Sequence, residues 1–463
     1  MQNKTVEKKE QTVAIIGGGV SGALTCAHLL NQRKIPLQIV LIEPRPEAGI
    51  GLAYCTKFDG HLLNVTAGGM SAFPDDPEHF VNYAKLHYPQ ATKKDFLPRM
   101  FFGEYIKHIY AEALDKSQDF HKIVRIDEKV ADLESNKEGF KIELSNGQNV
   151  EAAMVMLALG NLSGRAPRWL DKLSFDDNNY IHNVWDVQRV ASIQPTENLL
   201  IVGSGLTAID QLVYLASRGH KGKITCVSKH GFFPQAHFQE PVIGTAQDSL
   251  PPANVLKALR ELRTRAKSKD WRLVVDGVRS ESQVWWQSLD QKEQRRFLRH
   301  VQTYWDIHRH RMAYSISEIV KELETKGQLQ LIAGRVESMA KSNGAISVVV
   351  KARGSDTELR LEADRVLNCT GPQASVKTID CPLLEKLYDR KLVISHPAGG
   401  GISCDSAGRV IGEKGAPREN LFAIGPMLKA QLFESVAVPE IKTQAKNTAG
   451  AIIERMLRCE ANL

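Results

Sequence analysis

The run over residues 12–22 limits what this chain can fold into more than any other stretch: apolar Val13, Ala14, Ile15 and Ile16, then Gly17, Gly18, Gly19, Val20, Ser21 and Gly22. An apolar strand that breaks into G-x-G-x-x-G and runs into a helix (Ala23, Leu24, Ala27, Leu29, Leu30) is a dinucleotide fingerprint in which each glycine has its own task. Gly17 makes the tight turn, Gly19 lets the backbone approach a pyrophosphate, and Gly22 lets the helix pack closely on the strand. The helix start at Val20 and Ser21 presents free N–H groups and a positive dipole end to the phosphates.

The next apolar run, 38–42, ends in Glu43. That is about twenty residues on, where an acid accepts from free ribose hydroxyls and repels a 2′-phosphate. The first site therefore suits FAD or NAD and not NADP. A second fingerprint follows the apolar run 198–202: Gly203, Ser204, Gly205, Leu206, Thr207 and Ala208, the G-x-G-x-x-A variant. Its second strand, 223–227, ends in Ser228, Lys229 and His230 instead of an acid. A hydroxyl and a cation there suit a 2′-phosphate, so this half reads as an NADPH site.

Length and composition agree with this. A chain of 463 residues, 43% apolar and 24% charged, suits roughly three domain-sized units of ordinary globular make-up. The net charge of +7 is modest and its cations are scattered, which gives no support to nucleic-acid binding. The seven cysteines include no C-x-x-C pair, a pattern of reduced structural thiols that argues against a dithiol redox centre or a zinc site, and no metal is expected. The lead 1–11 is polar, and no stretch approaches a membrane span in length, so the reading is a cytoplasmic protein with no membrane association. A homodimer is left open.

The expected fold class is α/β: two Rossmann-like dinucleotide-binding domains with an inserted helical segment. Residues 1–190 read as the first part of the FAD domain, 191–330 as the NADPH domain with its insertion, and 331–463 as the second part of the FAD domain. Gly51 and the Gly-, Pro- and Asp-rich stretch 61–77 form an ordered loop with a buried path, where active sites are built. Arg99 meets a phosphate or lies on the surface; the sequence does not choose. Apolar strands that close on Gly160, Gly371 and Gly425 are expected where a parallel sheet meets a cofactor. Asn146-Gly147 and Asn343-Gly344 signal hairpins.

Residues 255–267 and 283–305 read as helices, with Trp286, Leu289, Phe297, Val301 and Trp305 packing the core of the insertion. His308, Arg309, His310 and Arg311 form either a solvated basic face or a cluster that anchors a substrate carboxylate or cofactor phosphate. A last helix over 439–457 opens with proline and turns its positive end toward the flavin if it faces that way.

These pieces resemble the bacterial FAD/NAD(P)-binding family related to class B flavin monooxygenases. The resemblance is carried by 17–22, Gly51-Leu52-Ala53-Tyr54, Leu62-Leu63-Asn64-Val65, Met70-Ser71-Ala72-Phe73-Pro74-Asp75, Leu97-Pro98-Arg99 with Phe102-Gly103-Glu104-Tyr105, Asn368-Cys369-Thr370-Gly371-Pro372 and Phe433-Glu434-Ser435-Val436-Ala437-Val438-Pro439-Glu440-Ile441. It implies FAD and NADPH as cofactors and amino-acid N-hydroxylases as relatives, aspartate N-oxygenases among them. Tyr180-Ile181-His182-Asn183-Val184-Trp185-Asp186 departs from the full Baeyer–Villiger signature, which argues against ketone oxygenation.

On this resemblance NADPH reduces FAD, and a C4a-hydroperoxyflavin passes oxygen to a small amine or amino acid. Asn64, Met70 and Ser71 are expected along the flavin edge, and His308, Arg309 and Arg311 at an anionic substrate. The alternatives are an NAD(P)H–flavin oxidoreductase serving a quinone or protein, and a non-catalytic flavin-binding regulator.

Overall fold

The computed structural model describes residues 12–165, 167–170, 178–244, 247–342, 344–372 and 378–461. The N-terminal lead 1–11 and Asn343 of the second hairpin turn lie outside these residues.

The apolar runs build two sheets. Thr12–Ile16 pairs in parallel with Gln38–Ile42 on one side and Met154–Leu157 on the other. Lys122–Ile126 and Pro417–Ala423 extend the sheet in parallel, and Arg409–Ile411 closes it antiparallel to give six strands. These central strands read as continuous apolar runs because both faces are covered. Val13, Ile15, Ile39 and Leu41 pack under the helices Val20–Leu30, Arg99–Ser117 and Val438–Ala461. Ala14, Ile16, Val40 and Ile42 pack under a three-stranded antiparallel sheet and the helix Pro382–Asp389. The Asn146-Gly147 turn joins two strands of that small sheet, with Gly147 at φ +81°.

The second sheet has seven strands, ordered Glu358–Ala363, Ala345–Ala352, Leu329–Ser342, Ile224–Ser228, Leu199–Val202, Arg365–Asn368 and Tyr180–Ile181. This topology corrects the sequence division at 190 and 330. Tyr180–Ile181 already pairs with Arg365–Asn368, and Leu329–Ser342 pairs in parallel with Ile224–Ser228. The chain therefore enters the second sheet before 190 and leaves it only after Asn368. Alternation in 329–363 gave no hint of which sheet those strands would join.

The insertion contains the helices Val255–Arg265, Trp271–Gly277, Ser282–Ser288, Gln291–His300 and Gln302–Arg309. The expected single helix over 283–305 is thus broken. Asp290 caps a fresh helix by accepting from Glu293 N, which stops the preceding helix at Ser288. Trp285, Trp286, Phe297 and Trp305 do form the insertion's core, joined by Phe433 from the far end of the chain. Among the described residues no helix is long and apolar enough to cross a membrane. All seven cysteines are unpaired.

Candidate functional site

The two fingerprints are built alike. Gly17 sits at φ +106°, and a Cβ there would lie 2.4 Å from the Ala158 carbonyl oxygen; Gly203 sits at φ +112°, 2.2 Å from that of Cys369. In each unit the first glycine packs against the residue just past the neighbouring parallel strand, so nothing larger fits. Gly22 is held as tightly, 1.9 Å from the Gly17 oxygen.

The middle glycines differ. Gly19 (φ −68°, ψ −171°) and Gly205 (φ −76°, ψ −172°) have backbone that any residue adopts. A Cβ on Gly19 would meet nothing closer than 3.5 Å, and one on Gly205 nothing within 4 Å. The protein itself does not require glycine at either place, so each leaves a cradle in front of a helix N-terminus that a pyrophosphate fits. Gly51 lies against Gly19, and a Cβ on Gly425 would touch Ser21 Oγ at 2.8 Å. Val20 and Ser21 are buried in that first turn, with Leu206 and Thr207 half-buried in the second. Gly160 and Gly371, each two residues past the contact with the first glycine, hold φ +66° and +79° in open space.

Glu43 is buried and already engaged. Its carboxylate accepts from Gly18 N at 2.7 Å and from Arg45 N, Nε and Nη2 at 2.8–3.0 Å. Burial pushes its pKa up, but the Arg45 and Gly18 donors outweigh this and hold the group below the usual range. A ribose hydroxyl at Glu43 therefore has to share with the Arg45 fork. At the second site Ser228 Oγ accepts from Gly231 N and lies 2.8 Å from Ser204 Oγ, which itself donates to Phe232 O. These hydroxyls close the turn, and Lys229, exposed, is the fingerprint's own cation.

Arg99 is not a surface residue but is half-buried and engaged within the protein. Its Nη1 reaches Asp210 Oδ2 at 2.6 Å and its Nε donates to Leu62 O, joining the loop of the first unit to the fingerprint helix of the second. His61 Nε2 adds a bond to the Asp210 carbonyl oxygen, and Phe58 packs edge-on against Tyr214.

Met70 and Ser71 are also corrected as flavin-edge residues. Met70 lies in the core beneath the first sheet's helices. Ser71 is fully buried, its hydroxyl 2.5 Å from Asp76 O and accepting from Phe73 N. Both shape the loop because its path is buried. Asn64, half-buried, offers its carbonyl to His237 Nε2 at 3.0 Å. Burial, aided by Arg311, lowers the His237 pKa to about 4, so its ring is neutral.

A cavity of about 560 Å³ opens between the insertion and the last helix. Gly69, Asp276, Arg279, Glu440, Lys442 and Gln444 are among its walls. Arg279 grips Glu440 Oε1 through Nε and Nη2 at 3.0 and 2.9 Å. Arg309 stands behind that pair, 3.4 Å from Glu434 and 3.7 Å from Glu440, and Arg311 is ion-paired to Asp276. Arg309 and Arg311 are 6% and 2% exposed, so the basic run is not a solvated face. Both guanidinium groups keep nitrogens with no hydrogen-bond partner among the described residues, as do Glu440 Oε2 and Gln444 Nε2. His308 is separate, bonded to Tyr304 O and set edge-on to Trp271, and does not join the cluster.

Phe433-Glu434-Ser435 acquires a physical role here. Phe433 takes φ +63°, rare for a non-glycine, and stacks on Trp286 at 4.9 Å. Glu434 accepts from Trp305 Nε1 and neighbours Arg309. The motif is the joint that seats the insertion on the first unit. Asp276 and Arg279 were not legible as site residues in the sequence, because what gives them a role is Glu440, 161 residues further along the chain from Arg279.

Residues 14–162 match a family model described as FAD-NAD(P)-binding. An uncharacterised protein of Escherichia coli K12, YdhS, is 22% identical over 316 residues, which span 60% of this chain and 56% of that protein. Among solved structures, the reduced form of the ornithine hydroxylase PvdA of Pseudomonas aeruginosa superposes with TM-score 0.65 at 14% identity, covering 96% of this chain and 99% of its own. Kutzneria sp. 744 ornithine N-hydroxylase, with reduced FAD, NADP+ and L-ornithine, gives 0.63 at 14%, covering 97% and 100%. At this identity the likeness shows the fold: a two-unit dinucleotide-binding architecture along nearly the whole chain.

Proposed function

We propose that this protein is an FAD-dependent, NADPH-reduced monooxygenase that N-hydroxylates a small amine bearing a carboxylate, an amino acid being the simplest case. The observation that carries the reading is the cavity wall, where half-buried Arg279 and Lys442 stand among the carboxylates of Asp276 and Glu440 in one space of small-molecule size. A zwitterion answers both signs. Arg279 and Lys442 hold the carboxylate, with Arg309 and Arg311 reinforcing the positive potential from behind. Glu440 Oε2, which lacks a partner among the described residues, accepts an N–H from the amine and orients it.

The twin cradles at Gly19 and Gly205 support two dinucleotides, and the family-model match over 14–162 supports FAD in the first. Bound flavin supplies electron acceptance from the nicotinamide and activation of oxygen. The chain's own part is to fix the two units against each other, through Arg99 and Asp210, and to hold the insertion on the first unit by seating Phe433 on Trp286. The test is NADPH oxidation by the purified yellow protein with a panel of amino acids and matching diamines, followed by product mass. A gain of one oxygen on an amino acid is expected. Rapid reduction of a quinone or protein with no oxygenated product would overturn the reading.

A further inference from the structure

The strand after the insertion brings a second set of cations to the ribose end of the second fingerprint. Ser228, which closes Ile224–Ser228, is in parallel register with Ala333. Arg353 N donates to the Ala333 carbonyl at 3.0 Å, and a Cβ on Gly231 would press on Ala333 Cβ at 2.8 Å. Arg335 follows two residues later, in register with Lys351 of the antiparallel partner. Lys229, His230, Arg335 and Arg353 therefore converge from two segments more than a hundred residues apart in sequence.

We infer that Arg335 and Arg353, with Lys229, form a site for a phosphate dianion, and that these two arginines set the nucleotide preference of the second unit. This rests on the proposal that the second fingerprint holds NADPH, and it deepens that proposal by naming residues outside the fingerprint.

Three observations favour a ligand over a solvated basic edge. Lys351 on the same hairpin is paired with Asp356 at 3.1 Å, whereas Lys229, Arg335 and Arg353 have no carboxylate partner among the described residues. His230 Nδ1 is buried without a hydrogen-bond partner among those residues. Burial first, then the charges of Arg353, Lys229 and Arg335, pushes the His230 pKa down, so all three cations act on this one ring. Finally, His230 is parallel to Phe232, and Tyr304, 43% exposed, tilts against both. A flat base has aromatic surface to lie on beside a cluster suited to bidentate phosphate contacts. The second strand ends in a hydroxyl and Lys229 instead of an acid, and the two arginines add the further positive charge that a dianion requires there.

The experiment measures binding of 2′,5′-ADP and of 5′-AMP to the holoprotein by calorimetry, together with KM for NADPH and NADH. Arg335→Gln and Arg353→Gln are compared with the parent and with Lys351→Gln as control. Each arginine variant should weaken 2′,5′-ADP about tenfold to a hundredfold while 5′-AMP changes little, and the preference for NADPH should collapse. Lys351→Gln should bind both as the parent does. If the parent prefers 2′,5′-ADP and both arginine variants keep that preference, the inference fails while the NADPH reading stands. A parent that binds 5′-AMP and 2′,5′-ADP alike overturns both.

Discussion

Arg99 Nη1 lies 2.6 Å from Asp210 Oδ2, and the two residues belong to different nucleotide units. Their side chains are 12% and 8% exposed. Burial pushes the Asp210 carboxyl above its usual range, and Arg99 and His61 only partly offset this. The pair fixes one fingerprint helix against the loop of the other unit, so the geometry between the two cofactor cradles depends on it.

Breaking the pair should be asymmetric. Asp210→Leu leaves a guanidinium that cannot lose its proton in a dry joint and should cost about 3–5 kcal/mol. Arg99→Met leaves an acid already inclined to protonate, and should cost less. The double variant should cost less than the sum of the singles. Denaturant unfolding of the four proteins checks this; equal single costs would remove the argument.

The glycines make a sharper test, because two of them are demanded by the protein and two are not. Gly17→Ala and Gly203→Ala combine a positive φ with a backbone clash and should fail to give folded protein. Gly19→Ala and Gly205→Ala should keep the apoprotein's melting temperature. The first should lose yellow flavin absorbance, and the second should keep it while KM for NADPH rises at least about tenfold. Retention of flavin by Gly19→Ala would show that no pyrophosphate lies in that cradle.

Most of the α/β frame was legible because local rules set it. Apolar runs covered on both faces announce parallel strands, and each glycine-rich break sits where a strand meets a helix. Sheet membership after 330 was not legible, since strand pairing is decided by partners far away in sequence. The site followed the same divide. Ser228 and Arg99 stand out by residue type, yet their bonds to Gly231 N and Asp210 depend on pairings that no local pattern encodes. Conversely, Arg309 and Arg311 stood out only as a basic run; what gives them weight is burial against Glu434, Glu440 and Asp276, which no local pattern encodes.

The cavity's two signs predict a split between substrates. Arg279→Met should raise KM about tenfold to a hundredfold for an accepted amino acid, because the carboxylate loses a charge-assisted contact. The corresponding diamine, which carries no carboxylate, should not suffer that loss. Steady-state kinetics with both decides it; a uniform loss of kcat would mean that Arg279 matters only by holding Glu440.

His237 predicts acid lability. Its folded pKa of about 4 lies below the ordinary imidazole value of 6.5. Above about pH 6.5 neither the folded nor the unfolded chain protonates it, so it costs nothing there. As pH falls from about 6.5 to about 4, the unfolded chain takes up a proton that the folded one refuses, and stability drains away by up to about 3 kcal/mol. His28 and His310, pushed to about 4 and about 3 by burial, act with the same sign. His237→Gln keeps an N–H donor for Asn64 O but cannot ionise. It should therefore match the parent within about 1 kcal/mol at neutral pH and exceed it in stability near pH 5. Unfolding midpoints across that window measure the effect; parallel curves for parent and variant would mean that folding does not shift the His237 pKa.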